Sequence, residues 1–177
     1  RLSLVGLRPG TIHDLEASVL HGSEERAVGT ARIEIPLAPA ILPRVEVEGD
    51  LSFGGYVLTH VVSTQRTDAV VIWDPQGRPV WYYLTPPGER ILTADAPGDG
   101  SLWFTTNPAD YRHTMGHVHH MDLDGSVHEV WDLDGAFSGG APLPDGGFGT
   151  IAKAWAPWED GTLLWDTIEE RSPDGTV

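Results

Sequence analysis

The sequence predicts an all-β chain, and three observations carry the prediction. No long stretch repeats apolar residues at i, i+3, i+4 and i+7, the mark of an amphipathic helix. Short alternating runs succeed one another instead, separated by Gly, Asp and Pro, as in "VVIWDPQGRPVWYYL" and "VHHMDLDGSVHEVWDL". Finally, the 21 glycines and 14 prolines among 177 residues make about 20% of the chain against a usual ~12%, which suits many tight turns.

The first segment, residues 1–36, holds three alternating runs, Arg1–Val5, Ile12–Leu20 and Val28–Ile35, joined by the turn-rich "LRPGT" and "HGSEER". These read as the last strands of a fibronectin-III-like or immunoglobulin-like sandwich. His13, two residues after Thr11, stands where such a sandwich often places a Tyr whose hydroxyl bonds back across a corner. Residues 37–49 follow as a linker. With Pro36 just before it and Pro39 and Pro43 inside it, φ is fixed and donors are removed, so an extended, stiff connection is expected.

From residue 50 to 177 a repeat takes over. "VVIWDPQGRPVWYYL", "VHHMDLDGSVHEVWDL" and "IEERSPDGTV" share a strand, a turn and a strand, with turn glycines Gly77, Gly125 and Gly175 spaced 48 and then 50 residues apart. A second turn series, "APGDGSLWF" and "PLPDGGFGT", places Gly100 and Gly146 46 apart. Two alternating turns per cycle imply about four short strands per repeat, the period of a β-propeller blade. About two and a half blades are expected. "DLDG" is then a tight hairpin turn, with Gly125 taking a positive φ. All seven tryptophans fall between Trp73 and Trp165, where large flat side chains suit packing between sheets. An incomplete set of blades leaves sheet faces uncovered, so the isolated chain is expected to be marginal in solution.

Composition excludes some function classes. Eleven basic against 26 acidic residues give a net charge of −15, which repels a phosphate backbone, so nucleic acid is not an expected partner. No apolar run approaches the ~18 residues of a membrane span. There is no cysteine, hence no disulfide and no thiolate metal site. The strand pattern opens at Arg1 with no signal peptide, and "SPDGTV" ends as a new strand begins, so a piece of a longer protein is expected.

"GLRPGT", the Pro-rich linker, "GGYVLTHVV", "VIWDPQGRPVWYYL" and "LPDGGFGTIAKAW…LLWDTIEERSPDGTV" together resemble bacterial arylsulfotransferase-like proteins. The resemblance covers nearly the whole chain. It implies a small β-sandwich ahead of a propeller, export from the cytoplasm, and sulfuryl transfer between phenols through a histidine adduct. No nucleotide donor or other cofactor is implied, and the partner is a phenol or a phenolic sulfate. Where the family often carries a His-His-Asp run before its "LPDG" turn, this chain has Phe137, Ser138 and Gly139. The alternative reading is therefore a non-catalytic propeller that binds a ligand or partner.

The histidine-rich stretch "DYRHTMGHVHHMD" supplies the candidate site. Alternation puts His117, His119 and Met121 on one strand face and Val118, His120 and Asp122 on the other. The candidate catalytic residues are His113, His117 and His119, with Arg112 as an anion ligand suited to a sulfonate or carboxylate. Any single one of these histidines reads first as an ordinary strand residue, partly exposed and bonded to neighbours or water. A metal centre would need His113 to fold back onto His117 and His119, and this spacing matches no ligand motif, so no metal is assigned. The Asp-Gly turns lack the ladder and distal Glu of a calcium loop. Their aspartates are expected to cap turn donors. "AWAPWEDGTLLW" packs Trp155, Trp158 and Trp165, which suit packing between blades more than a pocket.

Overall fold

The computed structural model describes residues 6–48, 54–64, 66–108, 115–134, 136–159, 161–172 and 176. The fold is all-β: among the described residues no helix forms, and the strands assemble into small antiparallel sheets. The first sheet is the hairpin of β1 (Ile12–His21) and β2 (Glu24–Glu34). β3 (Val57–Val61), β4 (Ala69–Trp73) and β5 (Pro79–Leu84) form a second sheet in sequence order. β6 (Glu89–Asp95), β7 (Ser101–Pro108), β8 (Met115–Asp122) and β9 (His128–Asp134) form a four-stranded meander. β10 (Ala136–Pro142), β11 (Phe148–Trp158) and β12 (Gly161–Arg171) make the last sheet.

The predicted turns at Gly77, Gly100, Gly125 and Gly146 each lie between two strands, and local chemistry explains why; Arg1–Val5 ahead of "LRPGT" and the turn at Gly175 lie outside the described residues. In the β4–β5 turn Gly77 has φ 72°, a conformation a side chain would strain, and its N–H donates to the Asp74 carbonyl at 2.9 Å. Asp74 Oδ1 accepts from the N–H groups of Gln76 and Arg78 at 2.9 and 3.0 Å. Asp99, Asp124 and Asp145 repeat the device, each accepting the N–H two residues on at 2.8–3.0 Å. Their aspartates thus cap turn donors, as expected of Asp before Gly. Asp74 is buried, which alone would raise its pKa. The N–H groups of Arg78 and Gln76 and the Arg78 guanidinium outweigh burial and hold the carboxyl below its ordinary value.

The Arg1–Val5 run lies outside the described residues, and the other two runs pair with each other as one hairpin. Its second strand begins at Glu24, because the connection after His21 is a two-residue turn and "EER" already belongs to the ladder. His13 bonds back to the residues just before its strand through Thr11. The Thr11 hydroxyl donates to the Arg8 carbonyl at 2.6 Å, which leaves it to accept from His13 Nε2 at 2.7 Å. The Pro-rich stretch forms no strand, yet it is not detached. Leu42 and Val45 pack against Ala69, Val71 and Trp73, and Arg8 reaches Asp74 at 3.5 Å.

Two further clusters bind the sheets together. Val70, Ile91, Leu102, Phe104 and Met121 fill one, with Leu58, Trp81 and Tyr83 packed on it. Trp103, Val118, Leu133 and Phe148 fill the other. The β6–β9 sheet is therefore covered on both faces, by β3–β5 on one side and by β10–β12 on the other. Double cover explains why seven successive residues of β7 are buried, where a half-solvated strand would alternate. Fully burying a side chain such as Phe104 or Phe148 contributes about 1.5–3 kcal/mol. Asp68, wholly buried, ties the strand ends together: its carboxylate accepts from the N–H of Ser63 at 2.8 Å and of Ile91 at 3.1 Å.

Candidate functional site

The site grows from the register of β8. Its residues pair with β7 on one side and β9 on the other, so His117 lies between Thr106 and Asp132, and His119 between Phe104 and Val130. Alternation holds as the pattern requires. His117 and His119 share a face, with ring centroids 6.3 Å apart, while His120 stacks on Trp103 from the opposite face at 4.2 Å. His120 Nδ1 also lies 3.4 Å from Glu129 Oε2.

The two described candidate histidines have different environments. His119 is only 5% exposed. Its ring stacks on Phe104 at 4.4 Å, nearly parallel. Nε2 meets the Thr106 hydroxyl at 2.9 Å and Nδ1 meets His128 Nε2 at 3.1 Å. Burial, followed by the neighbouring His128 and His117, pushes its pKa down to about 3. His119 is thus a neutral imidazole with both nitrogens occupied and a ring face covered. It has no lone pair left for attack, and the partly exposed strand position expected for it is in fact a buried one, because β3–β5 covers this face.

His117 is the open one. Its side chain is 29% exposed, and Nδ1 lies 3.0 Å from Asp132 Oδ1. Nε2 makes no hydrogen bond with any described residue. A carboxylate on Nδ1 fixes the tautomer that leaves Nε2 as the free base, the arrangement that prepares an imidazole as a nucleophile or general base. His113 and Arg112 lie outside the described residues. Among the described residues no group of three or more acidic or histidine side chains is arranged to hold a metal ion.

Asp132 and His128 complete the constellation. Neither was singled out in the sequence, but counting outward from the Gly125 turn finds them. His128 pairs with Met121 and Asp132 with His117, so both fall on the His117 face. Tyr83 of β5 closes the side, its ring 5.6 Å from His128 and 5.0 Å from Phe104. Burial, and then the Glu89 carboxylate, raise the Tyr83 pKa and keep its hydroxyl protonated. The three tryptophans of "AWAPWEDGTLLW" are on β11 and β12, but their side chains lie outside the described set.

Among the described residues the arrangement places the His117 imidazole, bonded to a carboxylate, beside a buried layer of His119, Tyr83 and Phe104. Comparison with family models, with curated proteins and with solved structures found no match.

Proposed function

We propose that this chain is part of an exported, arylsulfotransferase-like β-propeller protein that moves a sulfuryl group between phenols without a nucleotide donor. The observation that carries the reading is the His117–Asp132 pair, with Nδ1 held at 3.0 Å and Nε2 unbonded to any described residue. The architecture supports it as well. β6–β9 is a four-stranded meander, and β3 and β10, the opening strands of the adjoining sheets, both touch β6. Opening strands of neighbouring blades meet in this way around a propeller axis.

The chemistry follows from the pair. Nε2 of neutral His117 attacks the sulfur of an aryl sulfate; the N–S bond forms, the S–O(aryl) bond breaks, and the phenolate leaves. Asp132 stabilises the positive charge that the sulfated ring acquires. A second phenolate then attacks sulfur and releases the imidazole, which gives ping-pong kinetics.

The test is 4-nitrophenyl sulfate with a phenol acceptor. The proposal expects a burst of 4-nitrophenol, a sulfo group on His117 by mass spectrometry, and neither with His117→Asn. Absence of burst and adduct in a folded protein refutes it. A second reading, a propeller that binds phenolic ligands without turnover, is favoured by Phe137, Ser138 and Gly139 occupying the position of the family's His-His-Asp run. Saturable binding of 4-nitrophenyl sulfate without its consumption would select that reading.

A further inference from the structure

Two polar side chains on the other face of the central sheet have buried atoms without partners among the described residues. Arg90 and Asn107 are direct register partners in the β6–β7 ladder, so their side chains lie side by side. Arg90 Nε and Asn107 Oδ1 are both buried, and neither has a hydrogen-bond partner. Asn107 is only 8% exposed. Neither side chain forms an ion pair or hydrogen bond with any described residue.

Their surroundings make this unusual. Thr93 and Thr105 hydroxyls, two residues further along the same sheet, bond each other at 2.7 Å. Thr106 on the adjacent strand position bonds His119. These neighbouring threonine hydroxyls are satisfied, as buried polar groups in folded proteins usually are. The nearest acid in sequence is Glu89, whose Oε2 is also buried without a partner. Successive strand residues face opposite ways, and Glu89 acts on Tyr83, on the side away from Asn107. Arg90 therefore holds a positive charge and five donors in a fixed fork, with no counter-charge paired to it among the described residues.

We infer that Arg90 and Asn107 form a binding site for a small oxyanion, a carboxylate or a sulfate-type group. The guanidinium fork matches two oxygens of such a group. The Asn107 carboxamide, turned half a revolution about its last bond, presents its NH₂ to the same anion. A polyanion is disfavoured by the chain's net charge of −15, so the ligand is a small molecule. Asn107 neighbours Thr106, which lies on the His117 face, and so faces away from it. The site is separate from the His117–Asp132 pair and does not rest on the sulfuryl-transfer reading.

The experiment follows the Arg90 Nε–H resonance by nitrogen-15 NMR in the intact chain. Sodium sulfate and sodium benzoate are titrated separately against sodium chloride at matched ionic strength, with the resonance assigned through Arg90→Lys. The inference expects a saturable shift with sulfate, benzoate or both: sulfate alone identifies a tetrahedral ligand, benzoate alone a planar one. Asn107→Asp, which sets a second negative charge against the anion, should weaken binding by at least about tenfold. If Arg90→Lys does not fold, Asn107→Asp and the wild-type titration carry the test. A shift equal to that from chloride, no shift, or a shift unchanged by Asn107→Asp overturns the site.

Discussion

His119 makes the stability of this chain depend on pH in a defined window. In the folded sheet it stays neutral down to about pH 3, whereas its ordinary value is 6.5. Between those values the unfolded chain binds a proton that the folded chain does not. Stability therefore rises with pH across the window and is lost as pH falls through it. Each pH unit below the unfolded value costs about 1.4 kcal/mol, so lowering the pH to about 4.5 removes roughly 2.7 kcal/mol through this one ring. For a chain of this size that is about 5–11 °C in melting temperature. His119→Gln keeps hydrogen-bonding groups for Thr106 and His128 but cannot take up the proton. Urea unfolding, followed by tryptophan fluorescence at about pH 7.5 and 4.5, should show the wild type losing roughly 2.7 kcal/mol more than His119→Gln, with similar m values. Equal losses in the two proteins would refute the reasoning, because the buried neutral ring would then not be the source.

Two structural predictions follow from close contacts. Asp68→Ala strips the acceptor from the part-buried N–H of Ser63 and the buried N–H of Ile91 and should cost about 2–4 kcal/mol, read by chemical denaturation. A Cβ at Gly147 would sit 2.2 Å from the Arg171 carbonyl oxygen. Gly147→Ala should therefore force β10–β11 and β12 apart and cost about 1–3 kcal/mol, read as a fall in melting temperature. An unchanged melting temperature would show that the turn absorbs the methyl group.

The fold was legible where its causes are local. The β4–β5 and β8–β9 hairpins were placed by their alternation and by "DPQG" and "DLDG", because a positive φ at Gly77 and Gly125 and an aspartate cap are decided within a few residues. The 48-residue recurrence of turn glycines likewise survives as equivalent last hairpins of two successive sheets. The split of the histidines between two faces of β8 followed from period alone. Which face is dry did not. Nothing in "GHVHHM" says that Phe104 and Tyr83 cover His119 while His117 stays open, because Phe104 arrives from the previous strand and Tyr83 from another sheet. The partners of the site were half legible. Counting from Gly125 reaches His128 and Asp132, but the count has meaning only once the hairpin register is known.

The sequence by itself determined an all-β chain, its hairpin turns and which residues alternate along each strand, since these depend on backbone sterics and on hydrogen bonds a few residues long. Only the tertiary structure decided that β6–β9 would be covered on both faces. From that cover come a neutral, enclosed His119, a partly exposed His117 held by Asp132, and an Arg90–Asn107 pair without partners among the described residues. Burial is a property of what packs from a distance, and sheet-on-sheet contact has no period along the chain from which it can be read.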